Sequence, residues 1–277
     1  MKFFKGIGSI LSFFTSILIF IISFVIIIFC TVTSFLEEKN VKSIINAEFI
    51  LNIKYENESV KDLFVKNNKF DLDKKILEDI VNSNEFINMF DEVIDDTIDY
   101  YLYDKDYPDI DKKYEDFVNN ISKKHDNEKI KDILLNEKNI IQIPKKDEEQ
   151  SSRFNAIINN FDFYNIYYVC GFILIFMFLI FIFNWSLSKP FKYAGISFIT
   201  SSTMCICLYF SKFLLIKEEV FSSYEVIINN VFDLLLKYSI ICLGAGVLFI
   251  IIYIILNTIN SRKISIGDEC ADIQNVV

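Results

Sequence analysis

The chain has 277 residues, is 52% apolar with 29 Phe, and carries a formal net charge of −9. That is too oily for an ordinary soluble protein of this charge content. Residues 37–162 hold 30 of the 37 acidic and 19 of the 28 basic side chains, a net −11, against +2 for the remainder. The split sets an acidic polar segment apart from an oily remainder suited to lipid. It excludes nucleic acid as a partner, because phosphate recognition needs a dense basic face.

Residues 7–30, IGSILSFFTSILIFIISFVIIIFC, contain no charge, and ~20 apolar residues suffice to cross a bilayer core as a helix. The run exceeds the ~7–15 residues of a signal-peptide core. No small-x-small cleavage pattern follows, so a retained first span is expected. Phe29 stands where a lipid-acceptor motif at Cys30 would need a small residue.

From residue 31 to 170 there is no glycine, and the only prolines are Pro108 and Pro144. Tight hairpins need positive-φ positions that glycine supplies, so this stretch is expected to be helical. Steps of three and four confirm the period at Phe86, Phe90, Val93, Ile94, Thr97, Ile98 and Tyr101, with Ser83 or Asn84 as N-cap. Further amphipathic runs cover 41–51, 60–65, 72–81 with Asp71 as cap, 114–121 and 130–135. Each has one apolar face that needs a neighbour, which predicts a helical bundle. Breaks are expected at 66–69, 104–108 and 143–152, and residues 154–168 should run into a second span.

Residues 90–116, FDEVIDDTIDYYLYDKDYPDIDKKYED, crowd eleven carboxylates and three lysines around Pro108. Asp104, Asp106 and Glu115 fall at positions one, three and twelve of a calcium loop between two helices. Pro108 then occupies position five, Asp109 the glycine position and Lys112 position nine, so the pattern breaks where loop shape and coordination are set. These three residues are therefore only weak metal-ligand candidates. The expected alternative is a capped turn, with Pro108 ending one helix and the aspartates capping the next. Glu92, Asp95, Asp96 and Asp99 form a stripe opposite the apolar one, expected to be solvated.

Three more uncharged runs, 164–187, 193–211 and 238–256, complete four spans. Lys2 and Lys5, Lys189 and Lys192, and Arg262 and Lys263 flank them on one side if both termini are cytoplasmic. The connection 212–237 has three lysines offset by Glu218, Glu219, Glu225 and Asp233, with an amphipathic stripe at Val220, Tyr224, Ile227, Ile228, Val231 and Leu235 that suits an outer interface. Tyr164, Tyr167 and Tyr168 at one end of the second span and Trp185 at the other fit interfacial aromatic belts.

The spans carry no ionisable group in their cores, the usual mark of transport chemistry. They carry small residues instead: Gly8, Ser12, Thr15 or Ser16, and Ser23 in the first, Ala194, Ser197 and Ser201 in the third, Gly244 and Gly246 in the fourth. Such faces let helices approach closely. The polar run 200–203 could line a path, but Ser and Thr can satisfy their hydroxyls on their own helix.

His125 is the single histidine, and the six cysteines lie in the spans or the C-terminal tail without C-x-x-C spacing. No nucleophile–base pair is indicated, and no glycine-rich phosphate loop occurs. The expectation is an all-α integral membrane protein with four transmembrane helices and a helical-bundle extracytoplasmic domain between helices one and two. Its parts are an N-terminus and first span (1–32), an acidic outer domain (33–163), spans two to four (164–257) and a cytoplasmic tail (258–277). It should lie in the cell membrane, be non-enzymatic, hold no cofactor, and use the acidic domain to bind a protein partner or sense surface conditions. A transporter or channel component, a subunit of a membrane complex, and a membrane-bound hydrolase are the alternatives.

Overall fold

The computed structural model describes residues 2–55, 58–66, 72–125, 128–136, 143–145, 164–218, 221 and 224–274. In chain order the helices are α1 (Lys2–Phe35), α2 (Glu38–Ile44), α3 (Ala47–Asn52), α4 (Val60–Lys66), α5 (Lys74–Val81), α6 (Asn84–Leu102), α7 (Ile110–His125), α8 (Glu128–Asn136), α9 (Tyr164–Asn184), α10 (Ser188–Leu215) and α11 (Glu225–Gln274). Between α3 and α4 lie two short strands, β1 (Lys54–Tyr55) and β2 (Glu58–Ser59). The chain forms two compact units: Met1–Ser34, Phe161–Leu215 and Val231–Val277 make one, and Phe35–Asn160 with Ile216–Asn230 the other.

The first unit contains the apolar helices. Ile7–Phe35, Ile166–Asn184, Ser188–Leu215 and Glu225–Ser261 are long and apolar enough to cross a membrane. Large apolar side chains such as Phe13, Phe14, Leu174, Phe178, Ile240 and Leu248 are exposed along them. An exposed apolar area of this extent is unfavourable in water and neutral in hydrocarbon. Inside the unit, Ile19, Ile173 and Ile180 pack together, and Ile27 packs with Cys205, Leu235 and Cys242. Ser34 of α1 shares a hydrogen bond with the Tyr238 hydroxyl of α11. The connection expected over 212–237 is shorter, because α10 continues to Leu215 and α11 begins at Glu225. The later part of its apolar stripe, Ile227 to Leu235, belongs to the continuous helix α11.

The second unit is a bundle around one core, with Val118 and Ile121 of α7 fully buried among Ala47, Leu77, Ile80, Val81, Val93, Ile130 and Leu134. Phe86 and Phe90, one turn apart on α6, stack at 5.8 Å, and the Phe64 ring meets both edge-on. Such aromatic pairs add roughly 0.5–1.5 kcal/mol each beyond the burial of their area. The Tyr114 hydroxyl, buried in the same core, donates to the Leu134 carbonyl at 2.9 Å.

Ser83 caps α6 as expected, its Oγ accepting from the Phe86 N–H. Two local expectations need correction. The run 41–51 is two helices: Asn46 accepts from the Phe49 N–H at 2.8 Å, and Asp91 of α6 accepts from the Ala47 N–H at 2.5 Å. That pair of acceptors satisfies two donors of a new helix start, so the chain breaks there without losing its apolar face. The cap of α5 is Asp73, which accepts from the Lys75 N–H; Asp71 lies outside the described residues, as do 146–152 and 154–163. Among the described residues the bundle also admits one two-rung antiparallel pair, Lys54 with Ser59 and Tyr55 with Glu58, small enough to leave the architecture all-α.

Candidate functional site

Two places carry the residues singled out in the sequence, one in each unit. In the helical unit it is the corner between α6 and α7. Helix α6 stops after Leu102, and Asp104 takes a left-handed conformation (φ 56°). The turn lets the N–H groups of both Tyr103 and Lys105 donate to the Asp99 carbonyl at 3.1 Å. Glycine is the usual occupant of such a helix terminus. In a segment without one, an aspartate is among the side chains that tolerate it at least cost. Pro108 is buried, and Asp109 starts α7 by accepting from the Lys112 N–H at 3.2 Å. Tyr101 and Tyr107 donate to the consecutive carbonyls of Pro144 and Ile143, and the Tyr100 ring meets both tyrosines edge-on. The corner is thus tied to residues 143–144.

Of the carboxylate stripe of α6, Glu92 is exposed as expected, whereas Asp95, Asp96 and Asp99 are part-buried rather than solvated. Asp99 meets Lys42 at 2.7 Å and Lys105 at 3.1 Å; both lysines also meet Glu38, at 3.1 and 2.9 Å. Two cations and two anions alternate in a closed ring, with the Asp99 side chain only 16% exposed. Burial alone would raise the Asp99 carboxyl, but the two ammonium groups paired with it, Lys42 and Lys105, outweigh it and hold it below the usual range. Asp96 and Glu92 take Lys113 at 2.9 and 3.6 Å. Asp95 is half-buried; burial pushes its carboxyl up against the opposing pull of Lys42, and Asp91, Asp99 and Asp96 push it further. Beside the ring, the Tyr103 hydroxyl donates to the Leu36 carbonyl at 2.8 Å. Burial, with Glu38 nearby, pushes that phenol up to about 12. The physical reason for the difference is that α2 and α7 pack along α6 and bring lysines over its polar side, which a helical wheel of α6 alone does not contain.

Asp104, Asp106 and Glu115 are exposed. Among the described residues, no group of three or more His, Cys, Asp or Glu side chains is placed to hold a metal ion. His125 is the last residue of α7.

In the apolar unit, several of the small residues lie at helix–helix contacts. Gly8 lies against the Phe183 carbonyl of α9. Ser16 and Ser197 share a hydrogen bond at 2.9 Å, and Ser197 also reaches the Ser16 carbonyl at 2.8 Å. Ser12, Ser23, Ala194 and Ser201 are fully buried. A Cβ on Gly195 would come within 2.8 Å of Ile250 Cδ1, and one on Gly246 within 3.0 Å of the Ile199 nitrogen. Gly244 is exposed, and nothing in the chain lies within 4 Å of where its Cβ would be, because it is half a turn from Gly246 on α11. The hydroxyls of Thr200, Ser201, Ser202 and Thr203 all donate to carbonyls one turn back on α10.

Sequence reasoning missed two features here. Lys212, expected in a polar connection, is in α10 and only 6% exposed. It pairs with Asp233 of α11 at 2.9 Å and lies 4.2 Å from the Tyr209 ring centroid. Its spacing of three from Tyr209 was the available signal. The other is the α9–α10 corner, where Asn184 donates to Ser12 Oγ and to the Ile180 carbonyl and accepts from Lys189 Nζ at 2.8 Å. Comparison with protein-family models, with curated proteins and with solved structures finds no match to this chain.

Proposed function

We propose that the chain is a four-span protein of the cell membrane, with both termini cytoplasmic. In this reading the helical unit is displayed outside, where its acidic corner docks a protein partner, without catalytic chemistry of its own. The observation that carries the docking role is the way the corner is built. Six acidic residues, Asp104, Asp106, Asp109, Asp111, Glu115 and Asp116, are exposed around a turn held by the Asp99 ion-pair ring and the tyrosine bonds to 143–144. A surface held in one conformation loses little entropy on association, and its charge favours a basic partner. The orientation rests on the lysines and arginine flanking the apolar helices at one end.

Two experiments test this. In a cysteine-free chain, Lys123→Cys should react with a membrane-impermeant maleimide on intact cells, and Ser261→Cys only after permeabilisation. The opposite pattern overturns the orientation. A photo-crosslinking amino acid at position 106 should then trap a discrete protein in native membranes. Joint charge reversal of Asp109 and Asp111 should abolish that adduct; its persistence would sink the docking role.

A further inference from the structure

The turn between α9 and α10 combines features that no helix–helix packing requires. Trp185 is in the left-handed region (φ 49°), a conformation that costs a bulky side chain more than it costs glycine. Its N–H still closes α9 by donating to the Phe181 carbonyl at 2.7 Å. Its side chain, though, is 86% exposed, and Leu187 two residues on is 66% exposed. The turn is not loose: the Asn184 amide links Ser12 of α1 to Lys189, Ser186 and Ser188 share a hydrogen bond, and Pro190 is buried in the first turn of α10. Lys189 and Lys192, four and seven residues after the tryptophan, are both exposed, with Lys192 Nζ 5.8 Å from the Tyr253 ring centroid. A fixed frame therefore exposes a large amphipathic ring, a leucine and two lysines within residues 185–192, at the adjoining ends of two apolar helices.

We propose that this corner is a binding surface for the anionic phospholipids of the membrane interface. Trp185 sits at headgroup depth, Leu187 lies on the hydrocarbon side, and Lys189 and Lys192 hold lipid phosphates. The assignment rests on the membrane-spanning reading given above. Its chemistry is a match of shape and charge: an indole has an apolar body and an N–H donor suited to the boundary between acyl chains and headgroups. Lysines at that boundary attract anionic lipid, each by about fivefold in association. The strained backbone at Trp185 has a role in this arrangement, because the left-handed turn directs the ring outward from the last turn of α9.

Trp185 is the only tryptophan of the chain, so the intrinsic fluorescence of the whole protein reports on this one position. The full chain is reconstituted into phosphatidylcholine–phosphatidylglycerol vesicles in which either lipid is brominated at shallow or deep acyl positions. Shallow bromines should quench more than deep ones. At equal mole fraction and equal membrane charge, brominated phosphatidylglycerol should quench more than brominated phosphatidylcholine. Lys192→Ala, which leaves the Lys189–Asn184 bond in place, should reduce that preference about fivefold, and Lys189→Ala with Lys192→Ala should abolish it. Lys237→Ala, at the far end of the span, should leave it unchanged. Deeper quenching by deep bromines, or equal quenching by the two lipids, overturns the proposal. Failure of the protein to float with the vesicles would instead refute the membrane-spanning reading.

Discussion

Asp99→Asn is the sharpest probe of how the acidic corner is held. The substitution keeps the shape of the side chain and removes one charge from the ring of Lys42, Glu38, Lys105 and Asp99. A polar contact with a charged partner contributes about 1–2 kcal/mol more than the same contact with a neutral one, so turning these ion pairs into ammonium–amide contacts costs about that much. A further contribution comes from leaving two lysines to share Glu38 alone. Screening limits that contribution at Lys105, 48% exposed, more than at Lys42, 21% exposed. A total of about 2 kcal/mol lowers the melting temperature of a unit of this size by roughly 5–10 °C. Thermal denaturation of the full chain in nanodiscs, with hydrogen exchange at the amides of α2 and α6, measures it. The sign with pH follows from the depressed Asp99 carboxyl: its stabilisation is present above the unfolded value of about 3.9 and is lost as pH falls through the lower folded value. Wild type and variant should therefore converge below about pH 4. A difference under about 0.5 kcal/mol at neutral pH, the size of an exposed surface pair, refutes the reasoning. So does a gap that persists unchanged in acid.

Gly246→Ala should destabilise the apolar unit by about 1–3 kcal/mol, since its Cβ meets the Ile199 backbone. Gly244→Ala, in open space on the same helix, should be neutral or gain about 0.5–1 kcal/mol. Thermal unfolding in one lipid or detergent system compares the two. Asp104→Gly should stabilise the helical unit by roughly 1 kcal/mol by relieving the left-handed backbone, and Asp104→Val should destabilise it; both are read by chemical denaturation. Tyr103→Phe removes the bond to the Leu36 carbonyl at about 1 kcal/mol. Because the phenol is raised to about 12, its contribution is present below pH ~10 and fades as pH rises towards 12, so wild type should lose stability relative to the variant across that window.

Much of the fold was legible because it depends on short-range chemistry. Uncharged runs long enough to span ~30 Å of hydrocarbon announce the four apolar helices. The three- and four-residue steps around Phe86 and Phe90, with Ser83 before them, place α6 and its cap. Other features depend on partners far along the chain. The break at Asn46 needs Asp91, forty-five residues later, to satisfy a second backbone donor. Burial of Lys212 depends on Asp233 lying alongside it in the α10–α11 hairpin, and Gly244 differs from Gly246 only by the side of α11 that α10 covers.

The stretch 90–116 draws the same line within one site. Sequence alone determines that it is acidic, that Pro108 parts two helices, and that the calcium-loop pattern fails at the positions that shape a loop. Those are properties of residue type and spacing. Only the tertiary structure decides that Asp99 is a half-enclosed ion-pair partner, that Asp91 caps another helix, and that Asp106 and Asp111 face water. Charge–charge attraction and desolvation act through space over a few ångströms, and the folded chain sets those distances.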